Sequence, residues 1–93
     1  MLSRLPTELL AYKKISNFTE DSIPNALLKD HNTQKDVWAK IIVLKGSLLY
    51  TIKYEAGDEE NLLEAGQVGI VVPEQMHFVK ANKGLEFYVE FYR

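Results

Sequence analysis

From Val37 to the C-terminus, turn-forming clusters cut the chain into short segments, and this punctuation restricts the fold more than any other feature. Turns fall at residues 45–47 (Lys-Gly-Ser), 55–61, 65–67 (Ala-Gly-Gln), 73–75 (Pro-Glu-Gln) and 81–84. Between them lie residues 37–44, 48–54, 62–64, 68–72, 77–80 and 85–92, rich in Val, Ile, Leu, Tyr and Phe. Those side chains suit a pleated, half-buried surface. Short strands at roughly 8–12-residue spacing with turns between them predict an all-β sandwich or barrel. No long helical period separates them, so parallel βαβ units are not expected.

Residues 1–36 are less regular. Pro6 and Pro24 disfavour helix in the residues before them. Thr19 to Ser22 has the look of a capping box and allows a short helical turn. The stretch TELLAYKKI has amphipathic helical spacing but is brief, and short extended segments joined by turns are expected instead. The reading is one domain over 1–93, with an irregular arm at 1–36 and strands at 37–93. Ninety-three residues suffice for one core.

Alternation gives two strands a definite sidedness. Leu48, Tyr50, Ile52 and Tyr54 share one face. In the last strand Phe87, Val89 and Phe91 share one face, and Glu86, Tyr88, Glu90 and Tyr92 the other. Aromatics on both faces imply that one lines the core while the other meets a cavity, a second sheet or a partner subunit. From Val37 to Leu44 every residue is apolar except Lys40. That lysine either lays its stem along an edge with its head in water, or sits at a cavity, where a buried charge must be paired. Glu90 or a bound anion could supply the partner.

The composition is 46% hydrophobic and 26% charged with a net charge of −2, which is that of an ordinary globular protein and argues against nucleic acid. With no cysteine, disulfide and thiolate chemistry are excluded. The N-terminal stretch is too interrupted for a signal peptide, and no apolar run reaches the ~18 residues of a membrane span, so a cytoplasmic protein is expected. The acids of residues 56–61 lack the ligand spacing of a calcium loop.

Only two histidines are present, His31 and His77, so a metal site would need a carboxylate or water to complete it. GQVGIVVPEQMH, residues 66–77, resembles the second half of a cupin signature: glycine, short strand, proline, tight turn, histidine. HNTQKDVWAKIIVLKG, residues 31–46, resembles its first half. Together with YKKISNFTEDSIPNALLKDHNT, VLKGSLLYTI and the terminal FYVEFYR, the chain from about Leu5 to Arg93 resembles the small cupin-like family linked to tellurite resistance, the TehB-like N-terminal module, here in stand-alone form. In some members that module precedes a methyltransferase domain. These 93 residues offer no glycine-rich loop opening a helix, so methyl transfer is not expected of them.

The resemblance implies a single small cupin barrel (a double-stranded β-helix, or jelly roll) with His31 and His77 brought to one barrel mouth. It departs from the generic cupin pattern where Ala39 replaces the first-motif glutamate and only one histidine of that motif is present. Glu90, in the terminal strand, is the candidate third ligand, although alternation turns it outward if Phe87, Val89 and Phe91 point inward. Two imidazoles and a carboxylate suit Zn, Fe, Mn or Ni. Lys40 would hold a small anion, conceivably an oxyanion, with Tyr50 and Tyr88 as hydroxyl donors. Three functions follow: a binding module holding a divalent metal, a small anionic ligand or both; a metal-dependent enzyme of hydrolase or oxygenase type; or a metal-free homodimeric interaction protein joined through its tyrosine-rich terminal strand.

Overall fold

The structure, a computed structural model, describes residues 1–93. It is all-β, as the turn pattern predicts: seven strands in two antiparallel sheets pack face to face as a small barrel or sandwich. The strands are β1 (Ala11–Thr19), β2 (Trp38–Lys45), β3 (Ser47–Tyr54), β4 (Gly57–Glu64), β5 (Val68–Val71), β6 (His77–Ala81) and β7 (Glu86–Tyr92). One sheet runs β1-β7-β2-β5 and the other β4-β3-β6. A single 3-10 turn, Asn25–Leu28, follows Pro24. No helix is long and apolar enough to cross a membrane.

Two segments differ from the sequence expectation. The N-terminal arm contains a full nine-residue strand rather than short extended pieces, because β1 pairs along the free edge of β7. The acidic stretch 55–61, expected to be a turn, is strand from Gly57 onward. Only Glu55 and Ala56 separate β3 from β4, and Lys53 then pairs with Asp58 and Thr51 with Glu60. β4 is an edge strand, where charged side chains are compatible with pairing and keep other strands from adding on.

Alternation builds the core. Ala39, Ile41 and Val43 from β2 and Phe87 and Val89 from β7 are buried against Leu48, Tyr50 and Ile52 of β3. The β2–β7 register sets Ala39 beside Phe91, Ile41 beside Val89 and Val43 beside Phe87, all on the inner face. Consequently Trp38, Lys40 and Ile42 share the outer face with Tyr92, Glu90 and Tyr88, their register partners. Gly46 joins β2 to β3 with φ +69°, and a Cβ there would lie 2.8 Å from the carbonyl of Gly84. Both the backbone conformation and the close approach of two hairpins require glycine at this point.

Candidate functional site

Two loops bring the histidines together. His31 follows the 3-10 turn and forms an isolated antiparallel bridge with His77, the first residue of β6. The pairing is reciprocal: each backbone N–H donates to the other's carbonyl, at 2.9 Å from His31 and 2.8 Å from His77. Because paired residues project to the same side of a ladder, the rings meet, with centroids 4.1 Å apart and planes inclined at 59°. Tyr50 presents its ring edge-on to His77 at 5.5 Å. Residues 31 and 77, far apart in the sequence, are thus brought side by side.

The tautomer of each ring follows from its partner. Nδ1 of His31 lies 3.0 Å from the carbonyl of Lys29, and Nδ1 of His77 lies 2.8 Å from the carbonyl of Gln75. A carbonyl only accepts, so both Nδ1 atoms carry the proton and donate it, which in a neutral ring leaves the lone pair on Nε2. Neither Nε2 is bonded within the chain. Both histidines border one open space, although His77 as a residue is 3% exposed. Burial lowers the His77 pKa from 6.5 to about 4; the neighbouring His31 adds to this, and the Gln75 hydrogen bond partly opposes it. At neutral pH His77 is a neutral acceptor.

The open space is a cavity of about 340 Å³ between the sheets. Its floor is apolar, formed by Ile41, Val71, Val79, Phe87, Val89 and Phe91. One side of its mouth is made by His31, Asn32, Thr33 and Gln34, together with His77. Thr33 donates its hydroxyl to the carbonyl of Val37 at 2.8 Å, tying that loop down. Tyr12 and Lys13 of β1, in the other sheet from His77, border the cavity as well. Two adjacent residues of a strand normally face opposite ways. Here a register shift between Ala11 and Lys13 lets both border the cavity.

The other residues singled out in the sequence lie elsewhere. Glu90 sits on the outer face of its sheet, between Lys14 and Lys40 in register, and accepts the Tyr92 hydroxyl at 2.7 Å. Val89 and Phe91, its neighbours, face the cavity, so alternation prevails over the role the family resemblance suggested. No cluster of three His, Asp or Glu side chains able to hold a metal is present. The expected set of His31, His77 and Glu90 is therefore not assembled. Lys40 shares the outer face, its ammonium 5.2 Å from the Tyr92 ring centroid, and Tyr88 lies under Lys14 at 4.2 Å. Burial and the bond to Glu90 push the Tyr92 hydroxyl up to about 12. Tyr50 is fully buried and donates to the carbonyl of Ile70 at 3.1 Å, which leaves it a structural contact against His77.

Sequence reasoning missed Lys13 and Tyr12, and also the loop residues Asn32 and Gln34. The signal available for β1 was the three-residue interval between the inward Ile15 and Phe18, which breaks a period of two and betrays an irregular strand.

Comparison with known proteins places these features in a family. The model of the TehB-like domain matches residues 13–89. A probable S-adenosyl-L-methionine-dependent methyltransferase TehB from Haemophilus influenzae strain Rd is 33% identical over 92 residues, covering 95% of this chain and 32% of that protein. Its counterpart from strain 10810 is 32% identical over the same length. The chain thus spans about a third of the curated relatives it matches. The crystal structure of Haemophilus influenzae TehB superposes with a TM-score of 0.84 at 33% identity, over 92% of this chain and 32% of that one. A crystal structure of a protein from Escherichia coli K12 gives a TM-score of 0.88 over 100% of this chain and 97% of that one. At 21% identity, that likeness shows the fold alone.

Proposed function

Since this chain belongs to the TehB-like family, we propose that it is a cupin-like small-ligand-binding module whose working site is the His31–His77 pair at the cavity mouth. The observation that carries this reading is the pair itself: two rings locked by backbone acceptors at Nδ1, with both Nε2 lone pairs left for something other than the protein. Fixing one ring nitrogen on a carbonyl is how imidazoles are oriented toward a metal. The paired rings fit as half of a donor set for Zn, Fe, Mn or Ni. A divalent cation held there would act as a Lewis acid toward a ligand lodged in the cavity.

With two protein nitrogens and no carboxylate bordering the cavity, such a cation keeps most of its coordination positions for water or ligand. Its affinity is then well below that of a closed four-ligand site. This favours capture of a small molecule over a permanently metallated centre. The Haemophilus relatives are named for methyl transfer; the role proposed for these residues is ligand binding. A hydrolase or oxygenase reading needs a carboxylate beside the imidazoles, and Glu90 lies on the opposite face of the sheet.

Zinc titration of tag-free protein by calorimetry tests the reading. Wild type should bind one equivalent, and His31→Ala, which alters the more accessible ring, should lose it while circular dichroism stays unchanged. Equal zinc binding by wild type and His31→Ala, or none by wild type, would refute it.

A further inference from the structure

The charge and polarity around the cavity narrow the class of occupant. Its floor is hydrocarbon and aromatic, with no aspartate or glutamate anywhere on its lining. Lys13 is the one lysine, arginine, aspartate or glutamate among its lining residues. The guanidinium of Arg93 stacks 4.1 Å over the ring of the adjacent Tyr12, adding a second cation on the same side. The imidazoles of His31 and His77 each turn Nδ1 to a backbone carbonyl, so neither Nδ1–H is available to an anion. The β1 side therefore carries the positive charge that favours an anionic group, and the Nε2 atoms of the imidazoles suit a hydroxyl, an amine or a metal ion.

We infer that the cavity takes a small amphipathic organic anion, with its carboxylate-class head on Lys13, its apolar body against Phe87, Val89 and Phe91, and any hydrogen-bond donor turned toward His31 and His77. This rests on the ligand-binding reading above and adds to it the ligand class and the anchoring residue. At a water molecule's share of about 30 Å³, 340 Å³ corresponds to roughly ten non-hydrogen atoms. The volume lies at the lower end of ligand pockets, so a one-ring or short-chain acid fits and a nucleotide does not. Lys13 faces inward by alternation with Ile15, and the β-bulge adds Tyr12 beside it. Without the shift between Ala11 and Lys13, only one of Tyr12 and Lys13 could border the cavity.

The test is a ¹⁵N–¹H NMR titration with three probes: 4-hydroxyphenylacetate, phenylacetate and the neutral 2-phenylacetamide. Wild type should bind phenylacetate at least tenfold more tightly than the amide, and 4-hydroxyphenylacetate more tightly still. The shifted amides should belong to β1, β7 and residues 31–34. Lys13→Met keeps the side-chain stem and should remove the acid-over-amide preference. His31→Gln should remove only the advantage of the hydroxyl. Equal affinity for acid and amide in wild type, or an acid preference that survives Lys13→Met, overturns the inference. If wild type binds zinc but none of the three probes, the ligand class is wrong and the imidazole site stands; if it binds neither, both fail.

Discussion

The buried His77 makes stability depend on pH in a window that can be stated in advance. Its pKa falls from 6.5 in the unfolded chain to about 4 in the folded one, chiefly through burial. The unfolded state therefore takes up the proton first. The stabilisation is complete above pH 6.5, erodes as pH falls from 6.5 toward 4, and changes no further below that. Over this window the difference amounts to roughly 3 kcal/mol, an order-of-magnitude figure from the pKa drop. His77→Asn supplies the control, since asparagine can keep a donor toward the Gln75 carbonyl and does not titrate. Urea denaturation of both proteins from pH 7.5 to 4 would show wild type losing roughly 3 kcal/mol more than the variant. Carboxylates such as Glu59, whose pKa is lowered by its bonds to the N-terminal ammonium and Asn61, titrate in both proteins and cancel in the difference. Parallel profiles would mean that His77 is not desolvated, and the neutral-acceptor description of the site would fall with it.

Other outcomes follow from the same geometry. Gly46→Ala should destabilise by at least ~1–2 kcal/mol through the left-handed backbone alone, with the contact on Gly84 adding to it; thermal unfolding measures this, and an unchanged midpoint would contradict it. Tyr50→Phe removes the bond to the Ile70 carbonyl and should cost about 1–3 kcal/mol in denaturant unfolding while zinc affinity stays the same. Glu90→Gln and Lys40→Met lie on the outer face and should leave zinc and phenylacetate binding within twofold of wild type by calorimetry. A tenfold loss in either would place that residue in the site after all.

How far the sequence discloses all this depends on whether a local rule settles the question. Strands β2, β3, β5, β6 and β7 are legible because turn residues bound them and a period of two orders their faces. The orientation of Glu90 is legible for the same reason: Val89 and Phe91 point inward, so Glu90 cannot. β4 is masked because acids of low strand propensity are acceptable on a solvent-facing edge, where pairing with β3 outweighs propensity. The meeting of His31 and His77 has no local signal at all. It comes from a backbone bridge between distant segments, and only the family resemblance suggests it. Tyr12 is hidden by the bulge, since a one-residue register shift reassigns its face, whereas Lys13 keeps a period of two with Ile15 and becomes legible only once β1 is known to be a strand.

The central claim is that both imidazoles are held in the Nδ1–H form with Nε2 free at the cavity. Long-range ¹H–¹⁵N correlation spectra of the two histidine rings at pH 7 test this most directly. The account predicts protonated Nδ1 and unprotonated Nε2 for both rings, with zinc shifting only the Nε2 signals. An Nε2–H tautomer in either ring, or zinc-induced shifts at Nδ1, would contradict it.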